Sequence, residues 1–171
     1  MKGFPEAYLD IETTGLCAYQ DHITVIGIYF CNDCDNHIVQ LYDNKLTTKN
    51  LLKALEGTEK LFTYNGQSFD LPFIRTHLGP DLSLMHNHID LMYDCWRNNL
   101  KGGLKVVLKR LGISRETEGI TGYDAVILWQ QYKESDDLKA LDLLLRYNRD
   151  DVVNLKQLKD YLLDSKPIKP A

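Results

Sequence analysis

The sequence predicts an α/β domain with a mixed five-stranded sheet flanked by helices, and two features of its apolar pattern carry this prediction. In the first quarter of the chain, short apolar segments alternate with turn residues, which is typical of an antiparallel meander. After residue 47, strand-like segments alternate with segments of helical spacing, as in sheets whose parallel strands are covered by helices. A chain of 171 residues has the length of one domain.

The strands are expected where a short apolar segment lies between turn residues. The first, Ala7–Ile11, lies between Pro5 and Gly15. Residues 32–36 supply the turn between the second and third strands of the meander. The other four predicted strands are His22–Tyr29, His37–Tyr42, Leu61–Tyr64 and His88–Tyr93.

The helices are expected where apolar residues recur every three or four positions. The segment Ser68–Leu78 begins with Ser68 as its N-cap and ends at Gly79. The other predicted helices are Thr48–Leu55, Leu104–Leu111, Tyr123–Tyr132 and Leu138–Leu163, the last being one long helix or a kinked pair. We expect the domain to span residues 1–163 and residues 164–171, which include two prolines, to form a flexible tail.

The composition excludes several classes of protein. The 24 acidic and 20 basic residues leave a net charge of −4, which argues against binding nucleic acid through a basic surface alone. The first six residues do not resemble a signal peptide, and apolar stretches such as Ile23–Phe30 are far shorter than a membrane span. The four cysteines are too few and too scattered for a disulfide framework. We therefore expect a cytoplasmic protein in a reducing compartment, without membrane contact.

Two short motifs are open to a second interpretation. Cys31 and Cys34 form a C-x-x-C pair, which indicates either an ordinary turn between strands or a metal or redox site. His86 and His88 alternate along a predicted strand, so they indicate either ordinary packing or a pair of metal ligands. No further close pair of cysteines or histidines completes a zinc site.

Two acidic side chains lie at the end of the first predicted strand. Asp10 and Glu12 are two residues apart, so both project from the same face of the sheet. Two carboxylates on one face either repel each other or share a cation. Gly15 follows them and allows the backbone to approach a ligand closely.

Two further segments place acids near the same edge of the sheet. Asp70 lies in the first turn of a helix that directly follows a strand, where it either stabilises the helix dipole or takes part in a site. Tyr147 and Asp151 are four residues apart on the last predicted helix and share one of its faces. Asp150 points about 100° away from that face, so we expect it to meet solvent.

Three motifs, taken in order, resemble the exonuclease motifs of the DEDD superfamily. They are Asp10-x-Glu12-Thr13-x-Gly15, Asn65-x-x-x-Phe69-Asp70 and Tyr147-x-x-x-Asp151. Tyr147 resembles the tyrosine subclass, found in proofreading domains of family B DNA polymerases, because the histidine subclass has histidine where this chain has Arg146. The segments 102–112 and 147–155 make the chain most similar to YprB-like ribonuclease-H-like domains, over residues 6–163.

The resemblance implies a ribonuclease-H-like fold and a 3′–5′ exonuclease that shortens single-stranded DNA or RNA and releases 5′ mononucleotides. It also implies two divalent cations, Mg²⁺ or Mn²⁺, for which carboxylate oxygens are suitable ligands. Asp10 would bridge the two cations, and Glu12 and Asp151 would complete one of the sites. Asp70 would hold the second cation through water, and Tyr147 would orient the attacking water. A protein partner is possible, and the resemblance names none.

The resemblance also implies a binding path for the terminal nucleotides. Thr13 and Leu16 would receive the last nucleotide, with Leu16 wedged between bases, and Asn65 and Phe69 would help to hold the strand. Phe69 could equally pack in the core. Lys105 would contact the phosphate backbone.

Three side chains near this path have a second interpretation. Lys101 and Lys109 repeat at the spacing of Lys105 and would share one helix face, which forms either a backbone track or a solvated surface. Asp90 lies on the last predicted strand and either joins the site or accepts local hydrogen bonds.

Two other functions agree with the same motifs. The chain could be a nucleic-acid-binding or regulatory module that retains the fold, or an endonuclease that uses the same metal site. The order and spacing of the motifs favour the exonuclease.

Overall fold

The computed structural model describes residues 5–31 and 35–164. Its centre is a five-stranded mixed sheet. The strands are β1 (Glu6–Thr13), β2 (Ile23–Cys31), β3 (Asn36–Tyr42), β4 (Lys60–Thr63) and β5 (Asn87–Asp90). They lie in the order β3-β2-β1-β4-β5, with antiparallel pairing of β1, β2 and β3 and parallel pairing of β1, β4 and β5. The predicted combination of a meander with parallel strands is therefore confirmed.

Seven helices lie among the described residues, and they cover both faces of the sheet. They are α1 (Thr48–Ala54), α2 (Asp70–Leu78), α3 (Leu82–Met85), α4 (Leu91–Arg97), α5 (Leu104–Arg110), α6 (Gly122–Ser135) and α7 (Leu138–Asp164). Helix α7 is a single element of 27 residues, so the alternative of a kinked pair is wrong.

The structure differs from the predicted elements around α2 and β5. The residue that precedes α2 is Phe69, which makes no side-chain capping bond, so Ser68 is not the N-cap. Strand β5 ends at Asp90, whose side chain accepts a hydrogen bond from the amide of Met92 and so caps α4. The predicted strand therefore stops three residues early because a helix begins there. Helix α3 was not predicted, since its four residues are too few to show a period.

Alternate residues of β1 pack on opposite sides of the sheet, as the period of a strand requires. Ala7, Leu9 and Ile11 belong to the apolar core beneath α1, α2 and α3. Tyr8 belongs to the second core, which contains residues of α4, α5 and α7. The even-numbered positions of β1 therefore face α7.

Two sequence interpretations concern residues outside the described range. Cys34, the second cysteine of the C-x-x-C pair, lies there, as do residues 165–171 of the expected tail. Asp164, the first residue assigned to that tail, is the last residue of α7. Among the described residues, no helix combines the length and the apolar character needed to cross a membrane.

Candidate functional site

Strand β1 directs its two carboxylates toward α7. Asp10 and Glu12 lie at even-numbered positions of β1, on the face that contacts α7. The register between β1 and β2 shifts between Glu12 and Thr13, and such a bulge ends the regular pairing. The end of β1 therefore presents two acids where the sheet opens.

Helix α7 supplies a third carboxylate to the same place. Oxygen atoms from Asp10, Glu12 and Asp151 all lie within 4.8 Å of one another. We call these three residues the carboxylate cluster. Glu12 Oε1 is buried and has no hydrogen-bond partner among the described residues. A buried, unpartnered oxygen beside two other carboxylates is what a hard divalent cation would coordinate. The residues present therefore fit such a cation.

The electrostatics of the carboxylate cluster are unfavourable without a cation. Burial, followed by the negative charges of Asp151 and Glu12, raises the pKa of Asp10 well above its usual range. Burial and Asp151 likewise raise the pKa of Glu12. Burial also raises the pKa of Asp151, although Arg115 opposes this shift. The folded chain thus holds these acids close together at a cost in free energy.

Arg115 lies against the cluster, although no sequence motif pointed to it. Its Nη1 donates a hydrogen bond to Asp151 Oδ1, and the two side chains are only 8% and 7% exposed. The guanidinium also lies 5.5 Å from the centre of the Tyr147 ring. Burial lowers the pKa of Arg115, and Asp151 outweighs that effect and raises it. Arg115 therefore neutralises part of the cluster in the absence of a metal.

Lys105 contacts Tyr147, the tyrosine of the third motif. Its Nζ donates hydrogen bonds to the hydroxyl of Tyr147 and to the carbonyl of Ile120, and it lies 4.2 Å from the centre of the Tyr147 ring. Burial lowers the pKa of Lys105, and Asp151 opposes that shift. Burial and then Glu12 raise the pKa of Tyr147, so its hydroxyl stays protonated. Tyr147 is thus a protonated hydrogen-bonding partner of Lys105.

Lys101 and Lys109 do not continue the contact made by Lys105. Lys101 precedes α5, whereas Lys109 lies on α5 and lines a further concavity together with Lys105 and Arg115. The expectation that the three lysines share one helix face is therefore wrong for Lys101.

Asn148 fixes the position of Asp10, and the sequence analysis did not find it either. Its Nδ2 lies 3.3 Å from both the backbone oxygen and Oδ2 of Asp10. Its Oδ1 accepts a hydrogen bond from Gln40 on β3 at 3.0 Å. Gly27, directly opposite Asp10 on β2, leaves the space for this amide, because a Cβ there would lie 2.1 Å from Asn148 Oδ1.

We expect Gly27→Ala to destabilise the protein by about 1–3 kcal/mol, because the added methyl group overpacks the space that Asn148 occupies. Chemical denaturation measures this loss. In an Asn148→Ala background the same substitution should cost less, because the clashing amide is then absent. Gly122→Ala is the control, since its new Cβ meets no atom within 4 Å. An equal cost of Gly27→Ala in the wild type and in Asn148→Ala would contradict this explanation.

Asp70 lies beside the cluster without belonging to it. Its Oδ1 accepts a hydrogen bond from the amide of Ile11 at 3.1 Å, between the two acids of β1. Burial raises the pKa of Asp70 to about 7, although its own amide and that of Ile11 lower it. Its predicted role in holding a second cation stays a prediction.

The remaining predicted substrate residues line two concavities that meet at the cluster. Thr13, Leu16 and Phe69 line one of about 250 Å³, and Asn65 and Lys105 line another of about 580 Å³. Leu16 is 87% exposed. Phe69 also packs against the core beneath α2, so both of its interpretations agree with the structure.

Asp90 accepts local hydrogen bonds, which is the second of the two roles considered for it. Its Oδ1 accepts a hydrogen bond from the amide of Asn65 at 2.7 Å, and its Oδ2 accepts one from Gln67 at 3.1 Å. These bonds hold the turn in which Asn65 has a left-handed φ of 62°. Asp90 therefore supports the turn that carries Asn65.

The prediction that Asp150 meets solvent is wrong. It is buried, and its Oδ2 accepts hydrogen bonds from the amide and the hydroxyl of Thr117. The segment between α5 and α6 covers this side of α7, so the side chain does not meet solvent.

The two histidines of the possible metal pair have separate partners. Nδ1 of His86 lies 2.9 Å from the carbonyl oxygen of Thr58, and Nε2 of His88 lies 2.8 Å from the hydroxyl of Thr63. Neither belongs to the group of possible metal ligands found among the described residues. Ordinary packing explains both.

The fold has neighbours among solved structures. The family B DNA polymerase from Pyrobaculum calidifontis is 17% identical, with a TM-score of 0.69, and the match covers 92% of this chain and 24% of the polymerase. Brucella melitensis NrnC bound to pGG is 18% identical, with a TM-score of 0.63 and coverage of 95% and 74%. NrnC with bound Mg²⁺ is 16% identical, with a TM-score of 0.61 and the same coverage. This chain thus spans about a quarter of the polymerase.

Sequence comparison gives the family. No curated protein sequence matches the chain. The model of the RNase H superfamily matches residues 7–163, which is nearly the whole described sequence. The chain therefore belongs to the RNase H superfamily.

Proposed function

We propose that this chain is a metal-dependent 3′–5′ exonuclease of the tyrosine DEDD subclass, with residues 1–163 as its catalytic domain. It would hydrolyse the terminal phosphodiester bond of single-stranded DNA or RNA and release 5′ mononucleotides. The observation that supports this most strongly is the convergence of Asp10, Glu12 and Asp151, with a buried oxygen of Glu12 left unpartnered. We also propose a cytoplasmic location, on the grounds of the four scattered cysteines, which are typical of a reducing compartment.

The chain's own residues have distinct roles in this proposal. Asp10, Glu12 and Asp151 would hold divalent cations, Mg²⁺ or Mn²⁺, and Asp70 would assist with a second one. Such cations, when bound, activate water and stabilise negative charge on the phosphate and the leaving oxygen. Asn148 keeps Asp10 in place through its amide. The Tyr147 hydroxyl, held by Lys105, would orient the attacking water.

Two structural neighbours support the proposal. NrnC has been solved with pGG and with Mg²⁺, and the other neighbour is a DNA polymerase. At this level of identity the likeness establishes the fold, and the chemistry assigned to this chain depends on its own side chains.

The decisive experiment uses purified protein with 5′-labelled single-stranded DNA and RNA, in Mg²⁺ or Mn²⁺. We expect a ladder that shortens from the 3′ end, together with mononucleotide products, and no products in EDTA. A circular single strand is the control, because an exonuclease leaves it intact. Cleavage of the circle would indicate an endonuclease. Binding without cleavage of any strand in either metal would indicate a binding module and would refute the proposal.

We expect Tyr147→Phe to reduce kcat by about 100-fold, because one hydrogen bond to the reacting groups is lost. The rise in Tm caused by Mg²⁺ should be unchanged, since the hydroxyl holds no metal in this proposal. Tyr132→Phe, which removes a hydroxyl bonded to Asp43, is the control and should keep full activity. A parallel loss of kcat and of the Mg²⁺ effect would assign Tyr147 to metal binding.

A further inference from the structure

The larger of the two concavities has an apolar lining that the proposed chemistry does not use. It measures about 580 Å³ and shares Asp10, Tyr147 and Asp151 with the smaller concavity of about 250 Å³. Its apolar and aromatic lining, apart from the shared Tyr147, comes from the residue after β4 and from α4 and α5: Tyr64, Met92, Trp96, Leu104 and Val106. Acids therefore border it on one side, and large apolar side chains contribute much of the remaining wall.

Trp96 is exposed to an unusual degree for its type. The residue is 47% exposed, whereas tryptophan in a folded protein is mostly buried. Its ring makes a T-shaped contact with Tyr93, with centroids 5.6 Å apart and planes at 90°, which restricts the orientation of the indole. Val106, on the next helix, is equally exposed at 47%. An accessible aromatic ring in a concavity gains most from a flat, partly apolar ligand.

The polar groups at this concavity limit the ligand further. Lys105 lines it beside the acids and supplies a cation at the junction with the carboxylate cluster. A ligand with flat apolar groups joined by anionic groups matches a wall of this kind, and single-stranded nucleic acid has that chemistry. The hydroxyl of Tyr64 donates to the carbonyl of Gly102 at 2.6 Å, so the ring of Tyr64 is fixed in the wall.

We propose that the larger concavity binds the bases upstream of the terminal nucleotide, with Trp96 as the stacking platform. This inference rests on the proposed function, which places the terminal nucleotide in the smaller concavity beside Thr13 and Leu16. The two concavities meet at the carboxylate cluster, so one strand can occupy both with the scissile phosphate between them. The larger volume is more than twice the smaller, which leaves room for two bases where the smaller holds one. The substrate is accordingly a strand of three or more nucleotides and not a dinucleotide.

The test measures affinity as a function of strand length. Isothermal titration calorimetry uses unlabelled 5′-phosphorylated strands of two, three, four and six nucleotides, in Ca²⁺ under conditions where gels show no cleavage. Affinity should rise between two and four nucleotides by about 5- to 150-fold, which is the range for one stacked base. In Trp96→Ala this gain should disappear, and Trp96→Phe should retain most of it.

The control variant is Tyr161→Ala, which removes an aromatic ring of similar exposure, 44%, that lines neither concavity. It should keep the full dependence on length. A flat length dependence in the wild type, an unchanged Trp96→Ala, or an equal loss in Tyr161→Ala would each overturn the inference.

The same variants separate this inference from the proposed function. If the wild type degrades strands in Mg²⁺ but Trp96→Ala loses neither affinity nor kcat/KM on the hexanucleotide, the exonuclease remains and the platform is refuted. If strands bind with the expected length and Trp96 dependence but are never cleaved, the platform remains and the exonuclease is refuted.

Discussion

Asp10→Asn should raise the Tm of the metal-free protein and lower nuclease activity by at least about a thousandfold. The stability increases because the asparagine keeps the shape of the side chain and removes a half-buried charge that faces Asp151 and Glu12. The activity falls because the three-carboxylate cluster loses one of its anionic ligands. For the same reason Mg²⁺ and Mn²⁺, which should raise the Tm of the wild type by mass action, should raise that of the variant much less.

Asp142→Asn is the matched control. Asp142 lies on α7 with its side chain 67% exposed, so its replacement should change neither Tm nor activity appreciably. Thermal unfolding in EDTA and in millimolar Mg²⁺, together with the ladder assay, provides the three measurements. A metal-free Tm that falls in Asp10→Asn would show that the cluster does not destabilise the fold.

The pH dependence of the metal-free protein should have the same origin. Burial raises the pKa of Asp70 to about 7 and also raises the pKa of Asp10 and Glu12, against about 4 in the unfolded chain. The folded state therefore binds more protons than the unfolded state between about pH 4 and pH 7, and these groups favour folding less as pH increases. The stability of the wild type relative to Asp10→Asn should decrease across this range. Urea denaturation in EDTA at several pH values measures the difference.

Arg115→Met should destabilise the metal-free protein by about 3–5 kcal/mol, the usual cost of removing one partner of a buried ion pair. The remaining carboxylate of Asp151 would be buried beside two other acids without its only direct cationic partner among the described residues. Added Mg²⁺ should restore part of the loss, because it neutralises the same carboxylate. The increase in Tm with Mg²⁺ should therefore be larger in the variant than in the wild type.

Arg146→Met is the matched control, since Arg146 also pairs with an aspartate of α7. Its Nε lies 3.1 Å from Asp142 Oδ2, with the two side chains 50% and 67% exposed, and exposed pairs contribute no more than about 1 kcal/mol. If both arginine variants lose the same stability, the burial of the Arg115–Asp151 pair has no special effect.

The fold could be predicted from the sequence where the apolar pattern extends over enough residues to show the period of a strand or a helix. Strands β1 to β4 and helices α5 to α7 follow from period and turn residues. Helix α4 could not be predicted, because the apolar residues that follow β5 continue its pattern and the capping role of Asp90 is visible only in three dimensions. Helix α3 has four residues, too few for a helical period to show in the sequence.

The residues of the candidate site could likewise be predicted only where they lie on regular elements. Asp10, Glu12 and Asp151 could be found because each lies on a regular element with a known spacing, and the structure brings these three together. Arg115 could not be found, because it lies in the irregular segment between α5 and α6, where spacing does not predict direction. Asp150 was misjudged since a helical wheel does not show that Thr117 of that segment covers it.

The uninterrupted course of α7 has a consequence for insertions and deletions. Tyr147, Asn148 and Asp151 lie within five consecutive positions of one 27-residue helix that is also anchored in the core through Leu144 and Leu155. Adding one residue between Leu144 and Tyr147 would turn the site residues and Leu155 together by about 100° relative to Leu144 and move them by about 1.5 Å. Length changes in this part of α7 should therefore cost activity and stability together, whereas the irregular residues 98–103 have no such register to keep.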